Sequence, residues 1–267
     1  MNLNDPLIIP IISALKAGIS ILNVYDLPDF NTKIKKDKSP LTEADLASNA
    51  VINEFLKDTP YPIISEENKQ MDYTTRKSWE TCWMVDPLDG TKEFIKRNGE
   101  FTVNIALIRK GKPILGVIYV PVTRELYYAD VNQKAAFKTL IAEDHSLPDQ
   151  LFSEKDRIQP TLKTGSIVRV VGSRSHMNQD TLDYVEGLKK QGRDVEVVSK
   201  GSSLKFCLVA EGKADVYPRF APTMEWDTAA GHAICTAVGL KVTAQDTQSE
   251  LCYNKENLLN PYFLVAP

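Results

Sequence analysis

Histidine is nearly missing from this 267-residue sequence: there are three, none at a ligand spacing from another, which argues against a transition-metal site built on imidazole. The four cysteines, Cys82, Cys207, Cys235 and Cys252, form no Cys-x-x-Cys pair, so neither a zinc knuckle nor a disulfide framework is indicated and a reducing cytoplasm is expected. An excess of one charge is lacking as well. With 32 Lys and Arg against 35 Asp and Glu, the net charge of −3 gives no field to gather nucleic acid or anionic lipid, so any anionic ligand must be held locally. The early apolar run over residues 7–12 is broken by Pro10 and followed by Lys16, short of the roughly 20 residues of a membrane span. No basic leader with a small-residue cleavage site precedes it, and no fixed-period repeat follows. What is present is a globular composition, 43% hydrophobic and 25% charged, long enough for one large domain or two lobes. Its chemistry must be carried by oxygen.

The helical spacing of Ile8, Ile11, Ile12, Leu15, Ile19 and Leu22 predicts an amphipathic helix over residues 7–25. Pro40 and Thr42 mark the entry of a second, over residues 39–57. β-rich runs follow at 62–65, 82–85, 101–107, 114–120 and 126–129, and neighbouring strands of this kind predict an antiparallel meander. Residues 144–164 are polar and broken by Pro148 and Pro160, which places a boundary between an N-terminal α+β lobe, residues 1–145, and a C-terminal α/β lobe, residues 146–267. Beyond it come a strand at 167–172, a helix at 180–191, a strand at 195–198, a helix at 202–211, a strand at 214–217 and a helix at 227–238. That alternation predicts a layered α/β arrangement.

The most informative stretch is Trp83-Met84-Val85-Asp86-Pro87-Leu88-Asp89-Gly90-Thr91, an apolar strand running straight into two carboxylates. Side chains that follow a strand in this way stand at a sheet's carboxyl edge, where ligands bind. Pro87 fixes one torsion and Gly90 permits torsions that other residues resist, so Asp86 and Asp89 can be turned toward one point. Mg²⁺ suits that point, since it takes oxygen ligands from carboxylates, water and phosphate, and the Leu88 carbonyl can add one more. Thr91 would open a short helix whose first amides suit a phosphate oxygen. Each acid also has a plainer reading. Asp-Pro-x-Asp-Gly is turn chemistry, Asp227 in Glu225-Trp226-Asp227 suits a helix N-cap, and Asp45, three residues after Thr42, suits a capping box. Ile63-Ile64-Ser65-Glu66-Glu67 repeats the pattern of strand followed by acid. If Glu66, Asp86, Asp89 and Asp227 converge, any pair roughly 4 Å apart repels by about 4 kcal/mol at an effective dielectric near 20. Two divalent cations would neutralise such a cluster, and paired cations are the arrangement of phosphoryl transfer.

Taken together, Glu66-Glu67, Asp86-Pro87-Leu88-Asp89-Gly90-Thr91 and Trp226-Asp227-Thr228-Ala229-Ala230-Gly231 resemble the lithium-sensitive, magnesium-dependent phosphatases related to inositol monophosphatase. Within that group, residues 90–104 and Gly201-Ser202-Ser203-Leu204-Lys205-Phe206-Cys207 look like the bacterial 3'(2'),5'-bisphosphate nucleotidases of the CysQ type. The resemblance implies a layered αβαβα sandwich and the hydrolysis of 3'-phosphoadenosine 5'-phosphate to AMP and phosphate, with 3'-phosphoadenylyl sulfate treated alike. It implies that Glu66, Asp86, the Leu88 carbonyl, Asp89 and Asp227 hold two or three Mg²⁺, and that the Gly90 and Thr91 amides hold the scissile phosphate. Asp45 with Thr91 would take the proton of the attacking water. Ser202, Lys205 and Arg219 match the residues that meet the adenosine and its second phosphate in related nucleotidases. The plainer readings are a solvated helix face for Lys205 and a strand-edge charge for Arg219. His176 would approach the sugar or base, or lie on a surface loop, and Ala221 stands where the family has Gly.

Three rivals follow. A haloacid-dehalogenase-like phosphatase is suggested by Asp89-Gly90-Thr91, although here the two acids are three apart rather than two. An inositol or sugar phosphatase of the same superfamily would share the metal ligands. A metal- or nucleotide-binding protein without turnover would keep the carboxylates but lose the Asp45 and Thr91 pair. The expected partner is a small-molecule nucleotide bisphosphate and no nucleic acid. A monomer or a homodimer, with loose association to the inner membrane left open, completes the expectation.

Overall fold

The structure, a computed structural model, describes residues 5–29, 32–34, 40–161, 167–172 and 178–267. In chain order the elements are α1 (Ile8–Tyr25), β1 (Thr32–Ile34), β2 (Pro40–Thr42), α2 (Glu43–Leu56), β3 (Ile63–Ser65), α3 (Tyr73–Arg76), β4 (Thr81–Asp89), α4 (Thr91–Ile95), β5 (Thr102–Arg109), β6 (Lys112–Val120), β7 (Glu125–Asp130) and β8 (Ala135–Leu140). They are followed by β9 (Ile167–Gly172), α5 (Gln179–Lys190), β10 (Asp194–Ser199), α6 (Leu204–Ala210), β11 (Tyr217–Arg219), α7 (Glu225–Ala237), β12 (Lys241–Ala244) and β13 (Phe263–Ala266).

One sheet runs in the order β3-β4-β5-β6-β7-β8, antiparallel throughout except for the parallel β3–β4 pair. Its strands are buried on both faces, so they read as near-continuous apolar runs rather than as alternation. On one face lie α1 and α2, packed on each other and on β4, β5 and β6 through Ile11, Leu15, Ile52 and Leu56. On the other lies α7, with α6 beside it. Beyond these helices come the parallel pair β9–β10 and the three-stranded sheet β11-β13-β12, and α5 covers β10 and β11. Helices, sheet, helices, strands and helix give the expected αβαβα succession. The apolar 18-residue α1 has the length and composition to cross a membrane, but half of it is buried inside the protein.

Two glycines set how closely α7 approaches its neighbours. A Cβ on Gly116 of β6 would lie 2.5 Å from the Ala230 carbonyl oxygen and 2.7 Å from the Ala233 Cβ, and a Cβ on Gly231 would run into the Phe206 ring of α6. The helix therefore sits against bare backbone on the sheet side.

Several boundaries differ from expectation for identifiable reasons. The second helix starts at Glu43, not near residue 39, because Thr42 caps it and Pro40 belongs to a strand paired with β1; residue 39 itself lies outside the described residues. β4 continues through Pro87 to Asp89, since the proline falls where pairing with β5 is already irregular. The strand expected at 214–217 is Tyr217–Arg219, with Val216 contributing only a bridge to Val170. β8, β12 and β13 are additional to the strands expected from the sequence; β12 and β13 are only four residues long. The helix beginning near 202 starts at Leu204, because Ser202 adopts φ +52.

Candidate active site

The site is built on the end of β4. After Asp86 the ladder with β5 shifts, and Gly90 enters the left-handed region at φ +94 to start the five-residue α4. Glycine is needed there, because an L side chain resists that torsion and its Cβ would lie 3.2 Å from the Glu100 carbonyl oxygen. The turn aims Asp86 inward from the sheet and brings Asp89 beside the loop that precedes α6.

Glu66, at the end of β3, Asp86 and Asp227, on the first turn of α7, each offer a carboxylate oxygen within 4.8 Å of the others'. Asp89 is not one of this triad but its charge acts on both Asp86 and Asp227. Local hydrogen bonds of these acids coexist with the cluster, because a carboxylate has two oxygens, but Asp227 is not the N-cap of α7. Asp227 Oδ2 accepts from the Met224 amide at 2.9 Å, at the third position of the helix rather than at its N-cap. Asp86 Oδ1 accepts from the Leu88 amide at 3.1 Å, and Asp89 Oδ2 accepts from the hydroxyls of Ser202 at 2.6 Å and Ser203 at 2.8 Å. Asp45 does both things at once. Its Oδ2 accepts from the Thr42 amide at 2.7 Å, closing the capping box of α2, and its Oδ1 accepts from the Thr91 hydroxyl at 3.2 Å. Thr91 also lies 3.4 Å from the Leu88 carbonyl oxygen.

Burial and like charge act in the same direction on these groups. Asp86 is buried, and its carboxyl is held well above the ordinary range, first by desolvation and then by Glu66, Asp89, Asp227 and Asp45. Asp227 is pushed up to about 8 by burial and by Asp89 and Glu66, against which the Met224 amide and Arg219 act only in part. Hard oxygen donors on acids of one sign, Asp86 buried and Glu66 and Asp227 half-buried, are a donor set that can hold a divalent cation.

Asp89 and Asp227 also line a cavity of about 350 Å³ together with Lys205 and Arg219. Lys205 is not on a solvated face. It is 8% exposed, its Nζ donates to the Ser202 carbonyl at 2.6 Å, and burial brings it down to about 8 even though Asp89 favours its charge. Arg219 is on the edge strand β11, as expected for a strand-edge charge, yet it faces the cavity; its Nη2 donates to the Pro222 carbonyl, and its buried Nε has no partner among the described residues. Ser202 and Gly90 line the same cavity, and so does Ala221, the departure from the family pattern. His176 lies outside the described residues.

Sequence reasoning passed over Ser203, Asn104 and Thr102. Asn104 Nδ2 donates to Ser203 Oγ at 2.9 Å, and Thr102 Oγ1 contacts both Asn104 Oδ1 and Ser202 Oγ. The one available signal was two polar residues, Thr102 and Asn104, in a run otherwise apolar from Val103 to Ile108.

Comparison with known proteins places these observations in a lineage. The family model described as the inositol monophosphatase family matches residues 4–262. The 3'(2'),5'-bisphosphate nucleotidase CysQ of Salmonella typhimurium is 46% identical over 95% of this chain and 96% of its own length, and that of Escherichia coli K12 is 45% identical over the same shares. The crystal structure of CysQ from Bacteroides thetaiotaomicron, described as a bacterial member of the inositol monophosphatase family, is 49% identical. It superposes with a TM-score of 0.86 and covers 99% of this chain and 98% of that one. This chain belongs to the inositol monophosphatase family.

Proposed function

We propose that this chain is a magnesium-dependent 3'(2'),5'-bisphosphate nucleotidase that converts 3'-phosphoadenosine 5'-phosphate and water to AMP and phosphate, and treats 3'-phosphoadenylyl sulfate alike. The observation that carries the reading is that one cavity is lined both by acids of the cluster, Asp89 and Asp227, and by the cations Lys205 and Arg219. A ligand with two phosphates suits it: one is brought to the acids through cations, the other is met directly by Lys and Arg. The nucleotidases named above support the same substrate.

Glu66, Asp86, Asp89, Asp227 and the Leu88 carbonyl would hold two Mg²⁺. Such ions, when bound, polarise the phosphate and acidify the attacking water. The chain's own residues do the rest. Thr91 donates to Asp45 Oδ1, which leaves the lone pairs of its hydroxyl oxygen to accept the proton of the incoming water, and Asp45 takes the proton Thr91 passes on. The amides of Gly90 and Thr91 orient the scissile phosphate at the turn. Ser202 meets the nucleoside while it keeps its bond to Asp89. No covalent intermediate is required. The two lobes divide near residue 145, residues of both line the cavity, and the free thiols fit a cytoplasmic enzyme.

A phosphate-release assay tests this against 3'-phosphoadenosine 5'-phosphate, inositol 1-phosphate and a sugar phosphate, with Mg²⁺ and with added Li⁺. The expected result is preference for the bisphosphate nucleotide and inhibition by Li⁺; preference for inositol 1-phosphate overturns the substrate.

A further inference from the structure

The acids of the cluster come from distant parts of the chain, and something must fix their spacing. Ser203, immediately before α6, is 2% exposed and stands where three segments meet. Its Oγ lies 2.8 Å from Asp89 Oδ2, on β4, 2.9 Å from the main-chain oxygen of Asp227, on α7, and 2.9 Å from Asn104 Nδ2, on β5. A hydroxyl has one proton to give and lone pairs to accept with. Because Asn104 donates to it, the single Ser203 proton is shared between Asp89 Oδ2 and the main-chain oxygen of Asp227, the two residues whose relative placement matters. Ser202 also donates to Asp89, but its other side-chain contact is Thr102.

We propose that Ser203, oriented by Asn104, is a positioning residue that sets the separation of Asp89 from Asp227 by sharing its one proton between the carboxylate of the first and the backbone oxygen of the second. This rests on the reading of the cluster as a cation site. With Ser202 and Ser203 both donating to Asp89 Oδ2, Oδ1 is the oxygen left for a cation, and the Ser203 contact to the Asp227 main-chain oxygen ties the first turn of α7 to the same point. Outer residues that orient metal ligands typically cost 10–100-fold in affinity when removed.

The test is calorimetric titration of the full chain with Mn²⁺ and no substrate, alongside circular dichroism and thermal unfolding. Ser203→Ala is expected to bind Mn²⁺ roughly 10-fold or more weakly while it unfolds cooperatively, and the double variant with Asn104→Ala is expected to bind no more weakly than Ser203→Ala alone. Parental Mn²⁺ affinity in Ser203→Ala, with only a lowered unfolding temperature, would reduce the residue to a packing role and overturn the inference, as would additive losses in the double variant. Asp86→Asn, titrated in parallel, separates the two claims: parental affinity there overturns the cation reading itself, whereas loss there with parental binding in Ser203→Ala sinks only the positioning role. Should Ser203→Ala not fold, Asn104→Ala carries the decision, weakened binding supporting the inference and parental binding refuting it.

Discussion

Two acids, Glu225 buried and Asp227 half-buried, stand two residues apart on the first turn of α7 and are treated in opposite ways. Glu225 is fully buried, but it is supplied: its oxygens accept from the amides of Asn254 at 2.5 Å and Lys255 at 3.1 Å and from the Lys255 ammonium at 2.5 Å. Arg76 in turn ties the same loop to α3 through Asn254. Asp227 faces Glu66, Asp86 and Asp89 instead, and among the described residues it has no salt bridge. An acid that serves the fold brings its counter-charge with it, whereas an acid that serves a ligand is left short by the charge the ligand will bring.

The comparison breaks most visibly under neutralisation. Asp86→Asn is expected to lower phosphatase activity by about 100-fold or more, on the scale of losing one ligand or one transition-state contact, while the metal-free protein unfolds no earlier. Glu225→Gln is expected to do the reverse at its own site, costing roughly 2 kcal/mol of stability after allowance for the partial exposure of Lys255. Equal losses of stability in a thermal scan would erase the distinction.

A second measurement sharpens it by pH. In the metal-free fold Asp227 titrates near 8 against an ordinary 3.8, so its protonated form favours folding; that contribution is complete below about pH 4 and is lost as pH rises through about 8. Asp86 acts in the same sense. Chelated protein is therefore expected to melt lower near pH 8 than near pH 5, and Mg²⁺ to raise the melting temperature more at the higher pH. A flat profile in the chelated protein counts against the cluster.

The smallest effect belongs to Asp45, whose two oxygens serve both uses. Asp45→Ala is expected to reduce kcat with little change in Mg²⁺ dependence and to cost about 1 kcal/mol for the lost cap. A loss of stability with kcat intact would leave only the cap.

What could be read from the sequence was what lies along it. The run from Trp83 to Thr91 displayed a strand, a turn and two acids in order, and the apolar strands of the meander announced themselves by density of Val, Ile and Leu. β8, with Ala135, Ala136 and Lys138, has no such density, and β13 pairs with strands far off in sequence, so neither was legible. The capping box of α2 and the Asp45–Thr91 bond were posed as rivals, because a linear reading counts residues, whereas the structure counts oxygens. Ser203 was invisible for a related reason: its partners stand at positions 89, 104 and 227, and no local spacing joins them.

The seat of α7 on Gly116 has a mechanical consequence. With the Ala230 carbonyl and the Ala233 methyl already where a side chain on Gly116 would go, the helix has no clearance in which to slide toward the sheet, and Phe206 blocks rotation on the flank at Gly231. Asp227 thus rides on a clamped shaft rather than a lever, and whatever adjustment the enzyme makes to admit and discharge a nucleotide must be taken up by other parts of the cavity wall.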